Sequence, residues 1–315
     1  MKRRFLAAVL AGFLTAPAIA ATDYPSKPIT IIVPVAAGGT VDRVARLMSE
    51  GLSAKLGKPV IVENRAGAAG VIGTKYVAAA EPDGHTLLAI ANTFVSVPQF
   101  MDNAGYDPVK DFTPISQTCS IPMVLVTNTT TKYADLNALV EGAKADPQAV
   151  TLGSSGEGST GYIAAELFAR AAGIEFTHVY YKGNSQALLD VMSGQIVGMF
   201  DQVSTASGNI KAKKLVPLAV TTLERSASLP EVPTLHESGF KGFQDETFNA
   251  LMAPAGTPPA VIEKLHAAVT EVMNSQKMRE TLAEQGIDVK TSPVPADFQR
   301  YLEQSVTRYR EIAKR

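Results

Sequence analysis

The chain is poor in the residues that build cross-links and metal centres. Cys119 is its only cysteine among 315 residues, so no intramolecular disulfide can form, and Cys-built zinc sites and redox pairs are excluded. Tryptophan is absent, and the four histidines (His85, His178, His236 and His266) are scattered. None has a neighbour at metal-ligand spacing, so each reads as a packing or surface residue, and the sequence calls for neither metal nor cofactor. A basic excess is also missing. Without the three basic residues of the first four positions, the 29 Lys and Arg fall to 26, against 30 Asp and Glu, a net of −4. That balance argues against nucleic acid, which demands a basic face. It also gives small anions no bulk attraction, so any anion selectivity must be local.

What is present begins with an export signature. Lys2, Arg3 and Arg4 precede an apolar run from Phe5 to Ile19, and Ala18-Ile19-Ala20 supplies small residues at −3 and −1 of a cleavage point. Residues 1–20 are therefore predicted to be a signal peptide, with Ala21 as the new N-terminus and the periplasm as destination. The run is shorter than the roughly 20 residues that a spanning helix needs and contains Pro17. No cysteine lies nearby to carry a lipid. The strongly apolar run favours the general secretory route over the twin-arginine one, despite the Arg3-Arg4 pair.

The remaining 295 or so residues exceed the size at which one core usually keeps growing, so two domains are expected. Short β-rich runs alternate with helical stripes, the pattern of α/β architecture with mainly parallel strands. The runs 29–35, 60–62 and 86–91 read as strands. Between the first two, Val41, Val44, Ala45, Met48, Leu52 and Leu56 form a helical stripe ending at Gly57, and 71–80 reads as a further helix. The pattern repeats with strands at 149–152, 177–180, 196–200 and 216–220, and helices at 160–172 and 185–193. The tail from Pro258 reads as helical, with Thr257 as N-cap, Pro258 first in the helix, and Phe298, Leu302, Val306 and Tyr309 striping its last segment. Two apolar extended segments, 122–127 and 248–253, bracket the middle. If both cross between domains, the first domain is discontinuous: 21–122 plus 249–315, with 123–248 as the second.

Two loops lead from a strand into a helix on glycine and small hydroxyl residues: Ala36 to Thr40 and Gly153 to Thr160. Such loops present backbone N–H groups at a positive helix end. Facing each other across a cleft, they would hold the carboxylates of a small ligand without any arginine. Gly156 to Gly161 spells G-x-G-x-x-G, but the expected strand end at Leu152 lies several residues before the first glycine. Export through the secretory route, to a compartment without expected NAD, sets the dinucleotide reading aside. Glu157 stands where G-x-S-x-G would need its last glycine, so hydrolase chemistry has no nucleophile elbow. Asp42 suits the helix dipole as well as it suits a ligand. Asp201 ends a strand with ligand contact and a structural role both open, and Lys182 reads as solvated.

Four strings then carry a resemblance across nearly the whole chain: IVPVAAGGTVDRVAR from Ile32, LGKPVIVENRAGAAGVIG from Leu56, AAAEPDGHTLL from Ala78 and GSSGEGSTGYIAAELF from Gly153. Together with HVYYKGNSQALLDVMSGQ from His178 and LMAPAGTP from Leu251, they resemble the Bug-type extracytoplasmic solute receptors of tripartite tricarboxylate transporters. The resemblance implies a type II periplasmic-binding-protein fold, α/β, with two domains joined by two crossing strands and closing on a buried ligand. It implies ligand contacts at Ala36, Ala37, Thr40, Asp42, Asn92, Thr93, Ser154, Ser155, Gly158, Ser159, Thr160, Gly183, Asn184 and Asp201. Two departures stand out: Ala37 where proline is common, and Phe248 where tryptophan is common.

The expected function is a binding protein, not an enzyme. It would capture a small carboxylate (a di- or tricarboxylate, an amino-dicarboxylate or an aromatic acid) and deliver it to the permease subunits of a tripartite tricarboxylate transporter. A monomer is the default. The alternatives are an exported enzyme acting on such an acid, or a binding module feeding a signalling partner.

Overall fold

The computed structural model describes residues 24–133 and 135–314; the predicted signal peptide and Ala21 lie outside them. Strand β1 (Ile29–Val33) enters helix α1 (Thr40–Leu56), followed by β2 (Val60–Asn64), α2 (Val71–Ala78), β3 (Thr86–Ala91) and α3 (Thr93–Phe100). The long strand β4 (Phe112–Thr127) leads to α4 (Leu136–Ala145), β5 (Thr151–Ser154), α5 (Thr160–Ala172), β6 (Thr177–Tyr180), α6 (Asn184–Ser193), β7 (Gly198–Gln202), α7 (Val203–Lys211) and β8 (Val216–Val220). The chain returns through β9 (Glu246–Pro254) to α8 (Pro259–Met273), α9 (Gln276–Ala283), β10 (Asp288–Val289) and α10 (Pro295–Ala313).

These strands join in the order β2-β1-β3-β9-β4-β7-β5-β6, with β8 and β10 also on β4. The sheet is mixed. β1 pairs in parallel with β2 and β3, and β5 in parallel with β6 and β7. β4 spans both groups: its residues up to Pro122 pair antiparallel with β9, and its residues from Met123 pair antiparallel with β7. The return is made at Asp245, whose N–H bonds the Thr221 carbonyl at 2.9 Å, just before Glu246 pairs with Pro122. The segment 248–253 thus lies wholly within the β3–β4 side of the sheet.

The cores follow the same grouping, save that the one under α10 also takes in Tyr162 and Ile163 of α5. Val41, Val44, Ala45, Met48 and Leu52 of α1 pack with β1, β3 and α8 in one cluster, a fully buried Val, Met or Leu side chain being worth about 1.5–3 kcal/mol. Phe298, Leu302, Val306 and Tyr309, the stripe expected on the last helix, are buried with Phe248, Phe94 and Phe112 in a second. Phe168, Phe200, Leu139 and Leu152 centre a third. Phe248 sits edge-on to Phe298 and Tyr301, at 5.3 and 5.4 Å between ring centres. Its place is therefore inside the core under α10.

Several boundaries differ from expectation for local reasons. β1 stops at Val33 because Pro34 follows. β5 starts at Thr151 because Asp146 caps a short 3₁₀ turn over Pro147–Ala149. Thr257 does not cap α8: its hydroxyl donates to the Pro254 carbonyl at 2.8 Å, Pro258 takes the cap position and Pro259 opens the helix. The tail is not uniformly helical, since β10 adds two residues antiparallel to Ser120 and Cys119 of β4.

Candidate functional site

The strand registers bring two sets of carboxyl ends to one place. β3 runs antiparallel to β9, with Ala91 opposite Asn249, so the ends of β1, β2 and β3 lie beside the start of β9. β7 runs antiparallel to β4, with Gln202 opposite Met123, so the ends of β5, β6 and β7 lie where β4 passes between the two groups. Pro122 faces Glu246 at that passage. At about 3.3 Å per residue, both sets of ends fall within a few residues of it. Ligands of α/β sheets gather at the carboxyl ends of strands, because the following helices begin there. Every proposed ligand contact falls at one of these ends, in the loop after it or on the helix that follows.

On the β1 end, Ala36 and Ala37 are exposed and Thr40 is half-buried. The N-cap position of α1 is Gly39, and no side chain caps the helix. Asp42 is buried and faces back into the protein: its carboxylate accepts from the Gly38 N–H at 2.9 Å, from Asn64 Nδ2 at 2.8 Å and from Arg46 Nε at 3.1 Å. Burial works to raise the Asp42 carboxyl, but Arg46, Gly38 and Asn64 outweigh it and hold the group below its ordinary range. The geometry makes Asp42 the residue that pins the loop.

On the β3 end, Thr93 is half-buried and Asn92 is buried. The Asn92 carboxamide is fully committed: Nδ2 donates to the Glu246 carbonyl and to Tyr309 Oη, both at 3.1 Å, and Oδ1 accepts from the Phe248 N–H at 2.8 Å. The side chain thus points to β9 and α10.

The second group supplies the other wall. Ser154 ends β5, buried, and its hydroxyl accepts weakly from the Gly156 N–H at 3.3 Å, while Ser155 is exposed. Gly158 takes φ +75°, and Ser159 caps α5 by accepting from the Tyr162 N–H at 3.4 Å, ahead of half-buried Thr160. Gly183 precedes α6 without a side-chain cap. Asn184 Nδ2 reaches Asp201 Oδ1 at 3.4 Å, and Thr205 Oγ1 donates to Asp201 Oδ2 at 2.6 Å. Burial raises the Asp201 carboxyl above its ordinary value, and the bonds from Thr205, Gln202 and Asn184 only partly offset it. Asn184 Oδ1 is buried and receives no hydrogen bond from the described residues. Lys182 is exposed.

The G-x-G-x-x-G string has a packing explanation. A Cβ on Gly161 would stand 2.8 Å from the Phe200 carbonyl oxygen, so this position lets α5 lie directly on β7. Among the described residues, no group of three or more His, Cys, Asp or Glu is placed to hold a metal ion. His178 pairs with Glu166 at 2.7 Å and stacks on Tyr180, and His85 lies edge-on against Tyr24. Sequence reading missed Phe100, which meets Tyr162 edge-on at 5.9 Å between ring centres. Its helix α3 carries Pro98, which breaks the helical pattern that would have revealed it.

The family described as the tripartite tricarboxylate transporter family receptor matches residues 44–315. Among solved structures, the periplasmic binding protein BugD is 33% identical, with a TM-score of 0.75 over 92% of this chain and 98% of its own. Rpa4515 of R. palustris with adipate is 31% identical, with a TM-score of 0.78 over 93% and 98%. MatC of Rhodopseudomonas palustris with bound malate is 30% identical, with a TM-score of 0.75 over 92% and 100%. With its mixed α/β sheet and this match over most of its length, the chain belongs to the tripartite tricarboxylate transporter receptor family, as a solute-binding receptor of the Bug type.

Proposed function

We propose that this receptor captures a small carboxylate, a dicarboxylate foremost, between the two groups of strand ends and passes it to the permease of a tripartite tricarboxylate transporter. In this reading one lobe comprises 21–122 with 249–315 and the other 123–248, and β4 and the return at Asp245 form the hinge. The observation that carries it is the convergence of both sets of carboxyl ends on the β4 passage, with α1 and α6 beginning there without side-chain caps. Uncapped helix starts offer unpaired N–H donors and partial positive charge, which suits a carboxylate in a site with no arginine among its proposed contacts.

Binding proceeds without turnover. The solute docks a carboxylate on the 36–40 loop, the second lobe closes with Ser154, Ser155 and the α6 start on the remainder, and closure draws on the ligand's preference for the closed form. The chain acts in the periplasm after loss of its leader, as the export signature of residues 2–20 and its receptor family suggest. The alternative of an exported enzyme is separated by product analysis.

The test is a thermal-shift screen of the leaderless chain against adipate, malate, other di- and tricarboxylates, amino-dicarboxylates and aromatic acids, followed by calorimetry. A ligand at 100 times its Kd adds about 2.7 kcal/mol, a shift of a few degrees for a protein of this size. A selective hit that is recovered unchanged supports the reading, and one that Thr40→Trp abolishes places the first loop in the site. Conversion of the hit to product, or silence across the panel with a ligand-free protein, overturns it.

A further inference from the structure

Helix α3 joins the two walls of the site. It starts at Thr93, beside Asn92 on the β3 end, and finishes at Phe100. The Phe100 ring reaches the opposite group of strands at two points. It stands edge-on to Tyr162 in the first turn of α5, and it lies under Gly158: a Cβ built on that glycine would come within 3.0 Å of Phe100 Cδ2 and 3.1 Å of Cγ. Tyr162 and Ile163 of α5 are buried in the same cluster as Phe94, Phe248 and Phe298, so the apolar contact is continuous from one group of strands to the other. The flanks of this contact are exposed and apolar: Met101 follows Phe100, and Tyr180 lies 6.3 Å from Tyr162 between ring centres.

From this geometry we infer that Phe100 is a positioning residue for solute capture: it seats the 153–160 loop and sets how firmly the two lobes hold together. It does so through Gly158 and Tyr162, and needs no contact with the solute. The inference rests on the two-lobe receptor reading and adds a determinant of affinity to it.

Gly158 at φ +75° adopts a conformation that side chains rarely take, and it lets the ring come close to the backbone. An edge-to-face aromatic pair favours whichever arrangement of the lobes makes it. A ligand spanning the lobes benefits from every contact made only in the closed arrangement. In this proposal the Phe100–Tyr162 pair belongs to the closed arrangement, so loss of the ring shortens the life of the complex without slowing encounter.

Phe100→Ala and Phe100→Leu, in the leaderless chain, test this in two ways. Labels report the lobes directly: Cys119, the only native thiol, is buried, so cysteines at exposed Lys58 and Gln148 take spin labels for distance measurement without any ligand. Phe100→Ala is expected to move or broaden the interlobe distance distribution, with Phe100→Leu between it and the parent. With the dicarboxylate that binds best, the dissociation rate is expected to rise roughly 3- to 10-fold in Phe100→Ala, the association rate to hold, and Leu to restore part of the loss.

A folded Phe100→Ala with the parent's distance distribution overturns the inference, whatever the solute proves to be. So does an affinity loss carried by association alone, or one that Leu does not relieve. If no carboxylate binds the parent protein, the receptor reading fails and the capture role with it, while the distance measurement still decides whether Phe100 sets the hold between the lobes.

Discussion

Asn92 and Phe248 are held together by one hydrogen bond, 2.8 Å from the Phe248 N–H to Asn92 Oδ1, across 156 residues of sequence. Because Phe248 belongs to β9 and Asn92 immediately precedes α3, this contact ties the β3 end of the site to the strand on which the chain returns. The amide's other end bonds the Glu246 carbonyl and Tyr309 Oη, so three buried partners depend on one side chain. Asn92→Ala leaves the Glu246 carbonyl and the Phe248 N–H without their partner and takes one of two from the Tyr309 hydroxyl, which keeps Arg308, and each buried unsatisfied group costs about 1–3 kcal/mol. We expect a loss near 3 kcal/mol in urea unfolding, and a fall in Tm of roughly 5–10 °C. A loss within about 0.5 kcal/mol, the ordinary range for surface changes, would show that these bonds do not hold the strand.

Asp42 is expected to act on binding through the loop it pins. Its carboxylate fixes the Gly38 N–H, Asn64 and Arg46 at once, so Asp42→Ala frees residues 36–39 while leaving the buried stripe of α1 in place. A hydrogen bond to a charged group is worth about 1.5–3 kcal/mol, and the loss of its pinning effect is expected to weaken a bound dicarboxylate roughly 10- to 100-fold. Calorimetry on the variant and the parent measures this. Unchanged affinity in a folded variant would leave Asp42 with stability alone.

The carboxylates of Asp42 and Asp201 are predicted to titrate in opposite senses. Asp42 is held below its unfolded value, so its contribution to stability is complete above the unfolded pKa and is lost as pH falls through the folded one. Asp201 is raised by burial, so between the unfolded and folded values the native state binds more protons, and stability falls as pH rises through that window. Stability differences from the matching Asn variants, measured by urea unfolding from pH 7 down to pH 3, separate the two. The parent should gain on Asp201→Asn as the solution is acidified, and should lose ground to Asp42→Asn only at the acid end. The same sign for both would contradict the environments described for them.

How much of this was legible depends on how local the cause is. Helix α1 was readable because its stripe and Gly57 lie in one stretch, and α5 and β8 coincide with the expected residues for the same reason. The first half of β4 was hidden by Ser116, Gln117, Thr118 and Ser120, polar residues that interrupt any apolar run yet are buried. Their partners come from far along the chain: Ser292 Oγ accepts from the Gln117 N–H, and the Ser292 N–H bonds Ser116 Oγ. The site shows the same division. The loops 36–40 and 153–160 were visible as glycine and hydroxyl runs, whereas the commitment of Asn92 to β9 and α10 depends on residues 154 and 217 positions away.

Gly161 offers the sharpest separation of packing from ligand chemistry. In a dinucleotide fingerprint its last glycine would serve a cofactor-bound helix; here the position faces the Phe200 carbonyl oxygen, 2.8 Å from where a Cβ would stand. That neighbour is strand backbone and cannot swing aside, so Gly161→Ala must lift the start of α5 from β7. Overpacking of this kind costs about 1–3 kcal/mol, and a Cm shift in urea at constant m should report it. Because Ser159 and Thr160 sit on that same helix start, carboxylate affinity should fall with stability. NAD should bind neither parent nor variant. An alanine variant as stable as the parent would show that α5 does not rest on β7 at this point.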